Sequence, residues 1–296
     1  MNKEKTTIVL AFIAIYFIWG STYLFNKILI AEIDPFQIAG LRFTISGIII
    51  FLIAFWRKVD IRIKAKQLWN SYIAGILFLG IGNGAVVYGL KYIDSGFAAL
   101  LVSTQPLILL FMLWILKGQR IVAKSYIGVV LGFIGIFLLM YDQVMEAQIS
   151  WKGILLVFLA LLSWGYASIF VGSASLPKNQ FVNSAYQMLL AGITMLIFSY
   201  AVGERQADLF NLTNTAYASL IFLVIFGSII AFTSFNYLLK KVSPEKVATS
   251  TYINPIVAML LGALILHERI SFMAIIATVV LLSGVYFINS AKVKKA

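Results

Sequence analysis

Apolar residues along this chain fall into ten long blocks separated by short polar gaps. The blocks run roughly over 7–31, 35–56, 68–91, 94–117, 123–141, 151–174, 180–202, 213–240, 245–266 and 270–290. Each lies near the roughly 20 residues that an α-helix needs to cross hydrocarbon. Apolarity within a block is continuous and does not alternate with period two, so an outer-membrane β-barrel is disfavoured. The gaps leave no room for an inserted soluble domain. The pattern predicts an all-α integral membrane protein with ten transmembrane helices.

The blocks form two sets of five, 7–141 and 151–290. YGLKYIDSGFAALLVSTQPLI (88–108) lines up with YLLKKVSPEKVATSTYINPIV (237–257): Tyr88, Lys91, Ala99 and Pro106 recur 149 residues later as Tyr237, Lys240, Ala248 and Pro255. Arg120–Ile121 maps onto Arg269–Ile270 at the same offset, and Trp19–Gly20 onto Trp164–Gly165 at 145. Five helices is an odd number, so the second set enters the membrane upside down. This is the inverted-topology repeat common among secondary transporters.

Composition supports the membrane reading and narrows it. Hydrophobic residues make up 61% of the 296 positions and charged residues 11%, with a mean hydropathy of +0.97. The formal charge of +12 would suit nucleic acid. Its Lys and Arg residues, however, sit in the gaps and not along a basic stripe, which is a topology signal. With the N-terminus placed inside, 17 of the 23 Lys and Arg fall on the inner side, 5 on the outer side, and one, Arg42, within a helix. This bias predicts a multi-pass protein of the plasma (inner) membrane with both termini cytoplasmic. The first block is too long for a typical signal-peptide core and reads as a retained helix. The chain has no cysteine, which removes disulfides, thiolate metal sites and cysteine nucleophiles.

Candidate chemistry stands out against the apolar background. Pro106 and Pro255 sit mid-block at matched positions, where a missing N–H frees a carbonyl one turn back. Matched interruptions point to a substrate site. A packing kink satisfied by neighbouring hydroxyls is the plainer alternative. In the first block Tyr16, Trp19, Tyr23 and Asn26 share a face by their spacing, and the sixth block answers with Ser163, Trp164, Tyr166 and Ser168. Interfacial anchoring is the competing use of such aromatics.

Arg42 lies about 10 Å deep in the second block at 1.5 Å per residue. It either meets a substrate carboxylate or phosphate, snorkels outward, or pairs with Glu32 or Asp34. Its counterpart is Gln187. Asn83 in GIGNG (80–84) is a polar group within a helix loosened by glycine, and no strand precedes it as a phosphate loop would require. No carboxylate falls at mid-membrane, so a carboxylate proton relay is not expected. Gly128 and Gly132 form a GxxxG step, a candidate homodimer seam in the fifth helix. The single histidine, His267, lacks metal-ligand spacing. No catalytic or metal constellation emerges, so neither an enzyme nor a cofactor is expected.

The runs IWGSTY (18–23), AGLRF (39–43), GNGAV (82–86), SGFAALLVSTQPL (95–107), FGSII (226–230) and VSPEKVATSTYINPIVAMLLG (242–262) resemble the EamA family of the drug/metabolite transporter superfamily, and within it the YedA-like exporters. The resemblance covers nearly the whole chain. It implies two EamA repeats, cytoplasmic termini, and a central cavity between helices one to four and six to nine, with five and ten peripheral. Carried onto this sequence, the cavity candidates are Trp19, Tyr23, Arg42, Asn83, Gln105, Trp164, Gln187, Tyr252 and Asn254, with Pro106 and Pro255 as helix breaks. The implied function is alternating-access transport of a small organic metabolite or amino acid, with export favoured by the resemblance. A passive pore, or import of a metabolite or drug-like cation, is the alternative.

Overall fold

The computed structural model describes the backbone of residues 3–118, 123–145, 150–242, 247 and 250–290, and their side chains apart from 3, 123–124, 139–145, 251–252 and 288–290. Among the described residues all regular structure is helical. Seven helices are long and apolar enough to cross a membrane: α1 (Glu4–Leu29), α2 (Pro35–Trp56), α3 (Ala65–Gly89), α4 (Ser95–Lys117), α6 (Trp151–Val171), α7 (Gln180–Ala201) and α8 (Asn214–Lys241). The remaining three are α5 (Ala123–Met145), α9 (Ser250–Leu266) and α10 (Phe272–Ser290). Their described apolar stretches, Ser125–Leu138, Ile253–Leu266 and Phe272–Phe287, are shorter.

Several helix starts follow from local capping. Thr213 Oγ1 accepts from Ala216 N, and Asn179 Oδ1 from Phe181 N. Pro35 occupies the first turn of α2, where its absent N–H costs nothing. Other starts borrow a carboxylate from far away in sequence. Glu204 accepts from Phe36 N and Gln37 N at the start of α2, and Glu268 from Ser95 N, Ser95 Oγ and Gly96 N at the start of α4.

Packing follows the two-fold plan of the sequence. The equivalent helices α2 and α7 pack on each other, as do α5 and α10. Glycine makes both seams close: a Cβ on Gly192 would lie 2.3 Å from Thr44 N, and one on Gly284 would lie 2.9 Å from Gly128 O and Gly132 N. The backbone of Gly128 and Gly132 in α5 thus lies against α10 within the chain, while a Cβ on Gly132 would meet Leu107 of α4 at 3.2 Å. The other elements exchange across the halves: α1 lies on α8 and α9, while α6 lies on α3 and α4.

Both ends of the bundle are tied by polar contacts. At the end distal to the N-terminus, Glu32 accepts from Thr213 N and Oγ1, and Asp34 pairs with Lys91 and accepts from Arg205 N. Lys27 donates to Leu90 O (2.7 Å) and Ile93 O (2.8 Å) beyond the end of α3 and so caps that helix C-terminus. At the N-terminal end the ties are mostly neutral among the described residues: Gln67 Nε2 to Leu176 O, Asn70 Nδ2 to Ser175 O and Tyr186 Oη to Ile61 O, alongside the exposed pair Lys241–Glu4 and Lys240 Nζ on Lys178 O.

Candidate functional site

Three helices are wound locally into π turns: Ala14–Ile18 in α1, Ile76–Asn83 in α3 and Leu223–Ile230 in α8. The last two stand 147 residues apart, at equivalent places in the two halves. A π turn widens the helix and weakens its own hydrogen-bond ladder, and such turns recur at functional sites. Here each one accepts a side chain from another helix. Ser163 Oγ in α6 donates to Leu77 O (2.7 Å). Trp19 Nε1 in α1 donates to Gly227 O (3.3 Å), and Ser46 Oγ in α2 to Val224 O (3.2 Å). With its amide turned so that the nitrogen faces the carbonyls, Asn254 donates to Ile15 O (3.0 Å) and Tyr16 O (2.7 Å).

Trp19 and Trp164 meet edge to face, with ring centroids 5.9 Å apart and an interplanar angle of 88°. Phe78 and Phe235 join them: Phe78 lies 4.8 Å from Trp164, and Phe235 5.1 Å from Trp19 and 5.7 Å from Trp164. Each tryptophan also meets a glycine of the other half, one through its ring and one through the backbone carbonyl. Trp19 bonds Gly227 O, while a Cβ on Gly82 would come within 2.3 Å of the Trp164 ring. Gly82 and Gly227 are separated by 145 residues, the same offset that separates the two tryptophans. Sequence reasoning quoted both glycines inside motifs and missed that Gly82 seats the Trp164 ring while Gly227 offers its carbonyl to Trp19. The shared offset was the signal available.

Arg42 is 2% exposed, and its guanidinium reaches the α8 π turn instead of snorkelling outward. Nε donates to Ser228 Oγ (2.7 Å), and the group lies 4.9 Å from the centroid of Phe43. A Cβ on Gly227 would approach Nη2 to 2.9 Å, so glycine is what admits the guanidinium at that level. Neither expected carboxylate is its partner, since Glu32 holds Thr213 and Asp34 holds Lys91. Nη1 is buried with no hydrogen-bond partner.

The remaining candidates are distributed around this centre. Asn83 follows Gly82, and its buried Oδ1 has no donor. Gln105 Nε2, also buried without a partner, lies 3.4 Å from where a Cβ on Gly165 would sit. Gln187 spends Nε2 on Asn183 Oδ1 (3.1 Å), and its Oε1 is unpartnered. Tyr23 does not join the tryptophans; it packs on the Leu90, Ile93 and Phe97 cluster, so the aromatic face expected on α1 divides between two clusters. The Tyr252 side chain lies outside the described residues. Pro106 follows a true interruption, since α4 breaks at Ser103–Thr104, whose hydroxyls fold back onto Leu100 O and Leu101 O (both 2.7 Å). Pro255 lies inside α9 without such a break.

A cavity of about 460 Å³ opens at the distal end, lined by Lys27, Glu32, Asp94, Thr213 and Glu268 among others, and by none of the sequence candidates.

The sequence profile of the EamA-like transporter family matches residues 6–141 and again 151–290. The chain is 32% identical over 287 residues to the uncharacterized inner membrane transporter YedA of Escherichia coli (strain K12), covering 95% of this chain and 90% of that one. It is 26% identical over 287 residues to the uncharacterized transporter YoaV of Bacillus subtilis (strain 168), covering 94% and 95% respectively. A solved crystal structure shares the fold at a TM-score of 0.69 and 18% identity, over 95% of this chain and 96% of that chain.

Proposed function

The chain belongs to the EamA-like transporter family, is a multi-pass membrane protein, and from that premise we propose that it is an inner-membrane secondary transporter that exports a small organic metabolite or amino acid by alternating access. In this reading all ten helices span the bilayer as two inverted repeats, 7–141 and 151–290, with both termini cytoplasmic. Trp19 and Trp164 hold the organic body of the substrate, Arg42 orients its charged end, and Asn83 and Gln105 supply further polar contacts.

The observation that carries the proposal is the crossed pair of indole seats. Each tryptophan lies against a π turn of the opposite half. A rocking of one half against the other cannot occur without moving both rings relative to their glycines. The seats therefore couple side-chain contact at the centre to the relative position of the halves. A passive pore has no need of this arrangement; it requires a lining of like polar groups.

The test is exchange in proteoliposomes. Vesicles loaded with a bacterial metabolite extract are expected to show saturable efflux that accelerates when extract is also present outside. Gly82→Ala, which drives a methyl into the Trp164 ring, should slow exchange by about tenfold, a barrier change of roughly 1.4 kcal/mol. Efflux that never saturates would favour a pore.

A further inference from the structure

The equivalent helices α2 and α7 end in the same turn but differ in the residue that makes it. Both close as a Schellman motif. Lys58 N donates to Phe55 O (3.0 Å) and Val59 N to Ala54 O (2.9 Å), as Gly203 N does to Tyr200 O (3.1 Å) and Glu204 N to Ser199 O (3.0 Å). The residue that enters the left-handed region is Gly203 in α7, at φ 75°, and Lys58 in α2, at φ 53°. The two stand 145 residues apart, the offset of the two tryptophans. One copy of the repeat thus uses glycine, which enters that region freely, and the other bears the cost of a side chain there. The next helix start departs in the same way. Lys64 is the N-cap of α3 and Lys66 lies in its first turn, where the helix dipole disfavours cations. The equivalent helix α8 opens with Thr213, an ordinary cap.

Lys and Arg set topology wherever they fall within a gap. That rule does not call for them at a left-handed turn or a helix start. Between these two positions runs 57–66, RKVDIRIKAK, with five cations and one acid. All five cations are exposed, and among the described residues none of them is ion-paired. Asp60 accepts from Arg62 N (3.0 Å). Arg62 and Lys64 face outward while Ile61 and Ile63 are half-buried, and Tyr186 Oη ties the stretch to the bundle through Ile61 O (3.1 Å). Trp56, 90% exposed, and Trp69, 61% exposed, flank it as amphipathic rings do at headgroup level. Ile45, Ile48, Leu52 and Phe55 form an exposed apolar stripe along α2 that leads to the same place. We propose that 57–66 binds the headgroup of an anionic phospholipid whose acyl chains lie along the α2 stripe. The phosphate supplies the negative charge that the crowded cations lack. The stripe and the tryptophans suit a lipid and would be idle for a soluble anion. The proposal does not depend on the transport reading, only on the chain lying in a bilayer.

The test uses the purified full-length protein in neutral detergent. It is titrated with dioleoyl phosphatidylglycerol, dioleoyl phosphatidylcholine or glycerol phosphate, with affinity read by thermal shift and bound lipid counted by native mass spectrometry. Phosphatidylglycerol is expected to raise the thermal midpoint and stay bound, and the other two to do neither at the same concentration. Each cation removed should weaken phosphatidylglycerol about fivefold, so Arg62→Gln, Lys64→Gln and Lys66→Gln together should weaken it roughly 100-fold. Removing the same charge by Lys292→Gln, Lys294→Gln and Lys295→Gln should leave it unchanged. Lys58→Gly should raise the midpoint of the lipid-free protein, because glycine relaxes the turn, yet weaken phosphatidylglycerol about fivefold. A lysine with a purely structural role would not move stability and lipid affinity in opposite directions. Lys58→Gly also decides alone if the triple variant does not fold. Equal binding of the two lipids, or no binding of phosphatidylglycerol, would overturn the proposal. So would glycerol phosphate binding as tightly as the lipid, which marks a soluble-anion site, or an equal loss in the C-terminal control, which marks diffuse attraction. A Lys58→Gly protein with a lowered midpoint or an unchanged lipid affinity would overturn it as well.

Discussion

Asp94, the N-cap residue of α4, carries a testable electrostatic cost. Partial burial and the neighbouring Glu268 push its carboxyl above the ordinary value of 3.8, with Lys27 opposing. The folded chain therefore favours the protonated form. That advantage is fully present below the ordinary value and is lost as pH rises through the raised one, so at neutral pH the ionised group weighs against folding. Asp94→Asn keeps an acceptor suited to a helix start. It is expected to raise the thermal midpoint at pH 7, with the gain vanishing below about pH 3.8. An equal gain at both pH values would refute the electrostatic cause. Glu32 behaves in the opposite sense. Hydrogen bonds from the Thr213 hydroxyl and amide hold its carboxyl below 4.5, so its contribution is present at neutral pH and lost as acid protonates it. At this scale Trp19, Trp164 and Arg42 were legible because lipid gives such residues nothing to do. Gly82 and Gly227 were not, since a glycine in a membrane helix has many uses and only the side chain lying against it, Trp164 in one case and Arg42 in the other, tells which applies.

Among the elements, α4 illustrates how distant segments finish one another. His267 takes a left-handed φ of 56° after α9. Glu268 then turns back, donating its own N–H to Gly262 O (3.1 Å) and presenting its carboxylate to the first turn of α4. A Cβ on Gly262 would lie 2.3 Å from that carboxylate, which makes glycine a requirement there. Glu268→Ala removes three accepted hydrogen bonds and is expected to destabilise the purified protein by about 1–2 kcal/mol, as lost caps do. Glu268→Gln should retain part of that, and hydrogen exchange should quicken at Ser95 and Gly96 first. An unchanged exchange rate there would show that the cap is dispensable. The break before Pro106 was legible from the missing N–H. The π turns were not, because a run that is apolar on every side carries no periodicity from which an altered winding can be read.

At the scale of the molecule, the two-fold plan was legible as a matched order of landmarks, Trp19–Gly20 with Trp164–Gly165 and Pro106 with Pro255. A repeat states which helices are equivalent but not which are neighbours. That α1 leaves its own half to lie on α8 and α9, and α6 to lie on α3 and α4, follows from packing alone. The seam of α5 shows the same limit. GxxxG announces close approach without naming the partner, and within the chain α10 approaches its backbone while Leu107 of α4 faces Gly132. The polar ties add an asymmetry the repeat conceals, with carboxylates borrowed at one end of the bundle and mostly amides and carbonyls at the other.

The exchange of indole seats makes the two halves hostages to each other. Were the gene severed between the matched segments 6–141 and 151–290, each fragment would carry a tryptophan whose resting place is encoded on the other piece. Neither fragment should accumulate when produced alone, and both should accumulate together when co-expressed, as judged by membrane-fraction immunoblots. Stable accumulation of either fragment alone would mean that the halves are separable modules. Fragment complementation of this kind would make the meeting of the halves, and not the making of either one, the step that commits the protein to its fold.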